Sequence, residues 1–313
     1  MLSIQNVQDH FKSIHDHLVT SFEKLGQCIA RRDNWVRAEG GGGESCVFEK
    51  SKIFERGGVN FSSVYGESLP SSATISRAHL AGQQFFATGV SLVIHPWNPY
   101  VPTVHLNVRF FCTCKSGVSL SVNREFIGDD SNSLTWWIGG GMDMTPYYGF
   151  REDAQHFHRS CQKILLPFGE SLYPLFKKNC DEYFFLKHRK EPRGIGGIFF
   201  DDFNSLGLKD SLCLVEMIGQ GFFDAYSLIV GRRADYSYTD RERKFQLYRR
   251  GRYVEFNLIW DRGTTFGLQS NGRTESILIS MPPLASWDYD WHPLPESPEE
   301  ELYSVFLKPQ EWA

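Results

Sequence analysis

Several features are missing from this chain of 313 residues, and each absence removes a class of function. No run approaches the ~18 consecutive apolar residues of a transmembrane helix, so no membrane span is expected. There is no excess of positive charge: 33 Lys and Arg stand against 37 Asp and Glu, a net charge of −4. Without a basic field, no nucleic-acid partner is expected. Cysteine offers no framework. The residues at 28, 46, 112, 114, 161, 180 and 213 are odd in number and scattered. Only Cys112 and Cys114 lie close together, and they lack zinc-finger spacing. All seven read as reduced thiols in a reducing compartment. The first 30 residues carry Asp9, Asp16 and Glu23 and no unbroken apolar run. That argues against a secretory signal, weakens a mitochondrial one, and makes a cytoplasmic location the expectation. EGGGGESCVF (39–48) lacks the Gly-Lys-Ser/Thr ending of a P-loop. Its glycines instead let backbone pass close to a ligand or a neighbouring strand.

What is present is an ordinary globular composition, 41% hydrophobic, with an aromatic fraction of 15%. Aromatic surface suits a pocket for a flat organic ligand and equally a core packed with rings. Ile4, Val7, Phe11, Ile14, Leu18, Phe22, Leu25 and Ile29 recur at steps of three and four, which predicts an amphipathic helix over 4–29. His10, His15 and His17 fall off that stripe and read as a solvated face. From 45 to 112 the chain reads as strands, followed by a polar, turn-rich surface excursion at 115–134. A strand at 136–138, a helical hairpin over about 150–190 and a helix over 209–233 come next. YVEFNLIWD (253–261) and RTESILISM (273–281) read as further strands. Strands, helices and strands without βαβ alternation predict an α+β fold with a large antiparallel sheet, and the length allows one large domain or two modest ones.

Strand parity locates the chemistry. In HLNVRFF (105–111), His105, Asn107 and Arg109 share one face and Leu106, Val108 and Phe110 the other. Ser91 and His95 share a face opposite Leu92 and Ile94; Tyr253, Glu255, Asn257 and Asp261 alternate against Val254, Phe256, Leu258 and Trp260. Polar faces of antiparallel sheets often meet only water. Solvent faces, however, favour Lys, Glu and Thr, whereas His, Asn, Arg and Asp fit a polar cavity better. His156 and His158 lie two apart on a helix, so both cannot face one pocket. His95, His105, His158 and His188 come from separate elements and are a candidate metal set, with hydrogen-bonded core histidines as the alternative. Eight arginines, at 109, 189, 193, 249, 250, 252, 262 and 273, fit a polycarboxylate ligand. Internal salt bridges to Glu255, Asp201 or Asp202 should account for about half of them. The residues alone leave open a histidine-ligated metal dioxygenase or hydrolase on a β-rich fold.

Four long segments carry a resemblance. They are GVSLVIHPWNPYVPTVHLNVRFF (89–111), WWIGGGMDMTPYY (136–148), KKNCDEYFFLKHRKEPRGIGGIFFDD (177–202) and FQLYRRGRYVEFNLIWDRGTTFGLQSNGRTESILISMPP (245–283). From about 33 to 313 the chain resembles the oxygen-dependent coproporphyrinogen III oxidase family. The resemblance implies one domain over 1–313, α+β with its large antiparallel sheet flanked on both sides by helices, and a homodimer that converts two propionates of coproporphyrinogen III to vinyls; a non-catalytic tetrapyrrole carrier is the alternative. O2 is the co-substrate, no organic cofactor is used, and CO2, H2O2 and protoporphyrinogen IX are formed. It implies substrate contacts at Ser91, Asn107, Val108, Arg109, Asn271, Gly272 and Arg273, and a proton donor at His105. Asp143, Arg189, Arg193, Asp261 and Arg262 resemble active-site positions, with Asp261 or Asp143 holding the pyrrole N–H groups. The four histidines resemble the divalent-metal set of bacterial relatives, while other members work without metal. Three departures stand out: the excursion at 115–134 is longer than the family's link, Trp97 replaces a basic or polar residue, and Asn271 replaces a glycine.

Overall fold

A computed structural model of the chain describes residues 2–38, 40–69, 78–114, 120, 125–126, 134–269 and 272–313. Asn271 and most of the excursion at 115–134 lie outside the described residues. The expected α+β architecture is present. Seven strands form one antiparallel sheet: β1 (Arg31–Val36), β2 (Gly41–Glu49), β3 (Phe54–Gly66), β4 (Gln84–Pro96), β5 (Thr103–Cys114), β6 (Leu134–Thr145) and β7 (Gly196–Phe203). Each pairs only with its neighbours in chain order, so the sheet is a meander. β7 was not foreseen, although an apolar IFF after two glycines marks it.

One sheet face meets helices α1 (Ile4–Gly26), α2 (Arg151–Leu165), α3 (Leu172–Tyr183) and α4 (Gly207–Arg233). α1 begins at a capping box in which the Ser3 hydroxyl accepts from the Asn6 N–H and the Asn6 side chain accepts from the Ser3 N–H. It buries Ile4, Val7, Phe11, Ile14, Leu18 and Phe22, each worth about 1.5–3 kcal/mol against exposure. Ile29 departs from the expected stripe: the helix stops at Gly26 and Ile29 is exposed. His15 departs too, buried against β2 and β3 instead of solvated. α4 is the one described helix long and apolar enough to cross a membrane, and half of that stretch is buried against α1, α2 and the sheet.

The other face is covered by α5 (Asp240–Ile259), α6 (Arg262–Gln269), α7 (Thr274–Ile277) and the 3-10 turn Leu278–Ser280. Both segments expected as strands at 253–261 and 273–281 are therefore helical. A capping box at Thr239 and Glu242 starts α5, and the run after it carries no proline to stop it. Tyr253, Phe256 and Asn257 then face inward at helical spacing, while Leu258 and Ile259 are exposed. Polar contacts seat this layer on the sheet: Asn60 Nδ2 donates to the Ser276 carbonyl at 2.9 Å, and Arg250 donates to the Pro96 carbonyl at 2.8 Å.

Candidate active site

The register of β4 to β7 builds one wall. Ser91 lies opposite Asn107, His105 opposite Asp143, and Arg109 opposite Gly139. Because side chains alternate along each strand, Ser91, His105, Asn107, Arg109 and Asp143 all project away from the α1–α4 layer. Val108 projects the other way and is fully buried in the core, so its side chain is not a substrate contact.

His105 sits in a relay. Its Nδ1 lies 2.7 Å from Asp143 Oδ1, and Arg193 donates to Asp143 Oδ2 at 2.6 Å. Asp143 and Arg193 are buried, at 3% and 2% side-chain exposure. Burial opposes the charge on Asp143, yet Arg193 and His105 hold its pKa below the ordinary aspartate value. Arg193 also donates to Asn257 Oδ1 at 3.0 Å and lies over Phe184 at 4.0 Å. An ionised Asp143 on Nδ1 fixes the imidazole tautomer and leaves Nε2 as the working nitrogen. Nε2 has no hydrogen-bond partner among the described residues.

The facing wall comes from the end of α5 and the start of α6. Asp261 accepts from the Tyr183 hydroxyl at 2.8 Å, and from the Thr264 N–H and hydroxyl, both at 2.8 Å. Burial pushes its pKa up, but these bonds, with His105 nearby, bring it below the ordinary value. Asp261 thus caps α6 and remains partly exposed. Tyr183 stacks on Phe199 at 4.1 Å and accepts from the Arg262 N–H at 3.1 Å. Arg109 pairs with Asp201 at 2.8 Å and Arg262 with the same carboxylate at 3.3 Å.

Arginine pairing goes further than expected, since all eight have a carboxylate partner. Arg249, Arg250 and Arg252 are buried on Glu191, Glu55 and Glu255, and are structural. Arg189 binds Glu255 through two hydrogen bonds at 2.7 and 2.9 Å, on the same carboxylate that accepts from Trp287. Arg273 pairs with Asp33 at 2.6 Å. Asp33 is on edge strand β1, four strand spacings or roughly 19 Å from the strand carrying Asn107, so Arg273 and Gly272 mark the far end of this face. Residue reading missed Tyr183 and Thr264, and it named Asn257 and Asp201 without their partners here; a tyrosine at a helix C-terminus gives no signal that it will hold a carboxylate from elsewhere in the chain.

The four histidines do not fit a shared ion. His95 is fully buried and uses Nδ1 on Thr103 and Nε2 on the Ser280 carbonyl. Burial beside Arg250 holds its pKa well below the usual value. His158 uses both nitrogens on Tyr173 and the Ile195 carbonyl, and burial lowers its pKa to about 4. His188 pairs with Glu255 at 2.7 Å and accepts from Trp260 at 3.0 Å. The hydrogen-bonded alternative therefore holds for three of the four, and only His105 belongs to the polar wall. Among the described residues the one cluster with metal-ligand spacing is elsewhere, at His15, Glu44 and Cys46. There Lys12 and Arg32 already neutralise Glu44, each at 3.1 Å.

A comparison with known families covers nearly the whole chain. The coproporphyrinogen III oxidase family model matches residues 6–312. The chain belongs to that family, and so is an oxidoreductase of porphyrin biosynthesis acting on coproporphyrinogen.

Proposed function

We propose that, within that family, this chain uses O2 to decarboxylate two propionates of coproporphyrinogen III to vinyls, giving protoporphyrinogen IX. For each, the propionate, one O2 and one proton yield the vinyl, CO2 and H2O2: the β-carbon gives up a hydrogen and two electrons, and O2 is reduced. The observation that carries the reading is His105, held on Nδ1 by the Asp143–Arg193 pair, on the same face as Arg109 and close enough to Asp261 to lower its pKa. O2 as acceptor is also supported by the cysteines, all free and scattered, with no cysteine trio among the described residues to hold an iron–sulfur cluster.

In this reading the two carboxylates divide their tasks. Both oxygens of Asp143 are spent on His105 and Arg193 beneath the surface, so it positions the imidazole. Asp261 gives three acceptor sites to Tyr183 and Thr264, and its partly exposed carboxylate keeps one on Oδ1 for an inward pyrrole N–H. Partly exposed Arg109 and Arg262 take a propionate at the rim. His105 Nε2 takes the pyrrole N–H proton as the ring attacks O2, and the resulting peroxide takes the β-hydrogen as CO2 leaves. The imidazolium returns its proton to the ring nitrogen, and one proton from solvent completes H2O2. The donor set gives no support for a resident metal, and no step is routed through one. A homodimer, to be checked by light scattering, and a cytoplasmic location complete the proposal.

The test is anaerobically prepared coproporphyrinogen III, with and without O2, followed by porphyrin fluorescence and CO2 release. Conversion only with O2 is expected. Binding without conversion would identify a carrier, and conversion without O2 would replace the acceptor.

A further inference from the structure

We infer that Asp201 is a resident carboxylate that holds the Arg109–Arg262 pair in the free protein and yields it to a propionate of the substrate. The inference rests on the proposed reading of the site. Asp201 bridges two guanidiniums, from Arg109 Nη2 at 2.8 Å and Arg262 Nη2 at 3.3 Å. Those cations come from different walls and repel each other unless an anion lies between them. A carboxylate there has the charge and fork geometry of a propionate.

The chain is built locally to put it there. The β6–β7 register shifts between Phe200 and Phe203, a bulge that re-aims the intervening side chains. Asp202 sits at φ 54, a left-handed conformation that a non-glycine residue adopts at a cost. Its N–H donates to Asp201 Oδ1 at 3.0 Å. On the neighbouring strand, a Cβ at Gly139 would lie 2.8 Å from both Arg109 Nη2 and Asp201 Oδ1, so that glycine clears the space for the pair.

The pair is also placed to exchange. Side-chain exposure is 27% at Asp201, 34% at Arg109 and 59% at Arg262, unlike the sealed Asp143–Arg193 pair at 3% and 2%. Arg262, the more exposed and longer-reaching partner, leaves first. A propionate that displaces Asp201 restores the same pairing and so loses little, whereas a vinyl cannot displace it. Asp201 therefore competes with a ligand that brings a carboxylate to this pair and not with one that brings a vinyl.

The test is binding of coproporphyrin III, a tetracarboxylate that does not turn over, and protoporphyrin IX, a dicarboxylate, read by fluorescence. Wild type, Asp201→Asn and Asp201→Ala are compared at low salt, with thermal melts to confirm folding. Removing the competing anion is expected to tighten coproporphyrin III binding about tenfold, with a smaller change for protoporphyrin IX. Unchanged or weaker coproporphyrin III binding by the folded variants overturns the inference, the weaker case showing that Asp201 only orients the arginines. Asp201 lies at the rim, and two variants of different size guard against one failing to fold. Wild-type protein that fails to convert coproporphyrinogen III under O2 removes the reading of the site; conversion without tightening in the variants removes only the exchange.

Discussion

The two walls of the site hold the same kinds of side chain by different means. On the strand wall, His105, Asn107, Arg109 and Asp143 are fixed by a continuous ladder in which β5 pairs with β6 over its whole length and with β4 from Val104 to Cys114. A one-residue slip would turn every one of them into the core, so burial of the opposite face enforces their direction. On the helical wall, Glu255, Asp261 and Arg262 sit where α5 ends and α6 begins, and side-chain hydrogen bonds hold them. The difference predicts two modes of failure. The strand wall fails when a sealed charge loses its partner; the helical wall loosens one bond at a time.

The largest effect is expected where the strand wall is sealed. Asp143→Ala leaves Arg193 as an unpaired buried cation and should cost about 3–5 kcal/mol of stability in denaturant unfolding. A loss below about 1 kcal/mol would mean that water reaches Arg193 and that the two walls are not so different. His105→Ala tests the chemistry on the same wall while leaving the sealed pair in place. Turnover should fall roughly 10²–10⁴-fold, with a smaller change in KM, because the proton role is lost more than binding. Equal kcat would end that assignment.

The same contrast decides what was legible beforehand. Parity along 105–110 placed His105, Asn107 and Arg109 together, since a strand buried on one side permits no other arrangement. The segment 253–261 alternates just as cleanly, yet it belongs to a helix. Over so few residues, periods of 2 and 3.6 both fit. The deciding signal, Thr239 with Glu242, lies far upstream at the start of α5. Histidine convergence was not readable, because His95, His158 and His188 are committed to backbone and side-chain partners that only the fold brings near. The aim of Asp201 depends on a bulge, which breaks the alternation that parity arguments use.

On the helical wall a single bond can be removed without unsealing a charge. Tyr183→Phe keeps the ring on Phe199 and deletes the hydroxyl that donates to Asp261. A hydrogen bond to a carboxylate is worth about 1.5–3 kcal/mol, so a fall in kcat of about tenfold is expected from a looser Asp261. That bond also lowers the Asp261 pKa, so its loss raises it and moves the acid limb of the rate profile to higher pH. An unmoved limb would mean that the reaction does not require ionised Asp261.

Glu255 offers the smallest effect and the cleanest separation of the walls. Burial opposes its charge, but hydrogen bonds from Arg189, His188 and Trp287, with Arg252 beside them, bring its pKa from 4.5 down to about 2. Between those values the unfolded chain binds a proton that the folded protein does not. The cluster's stabilisation is therefore complete above pH 4.5 and is lost as pH falls toward about 2. Asp143 is shifted in the same direction, so wild type loses stability from both walls on acidification. Glu255→Gln removes this contribution and leaves those of Asp143 and Asp261. Unfolding free energy should fall less steeply with acid in this variant, and the gap from wild type should narrow as pH drops through this range. Parallel curves would show that the four donors hold Glu255 no better than water does.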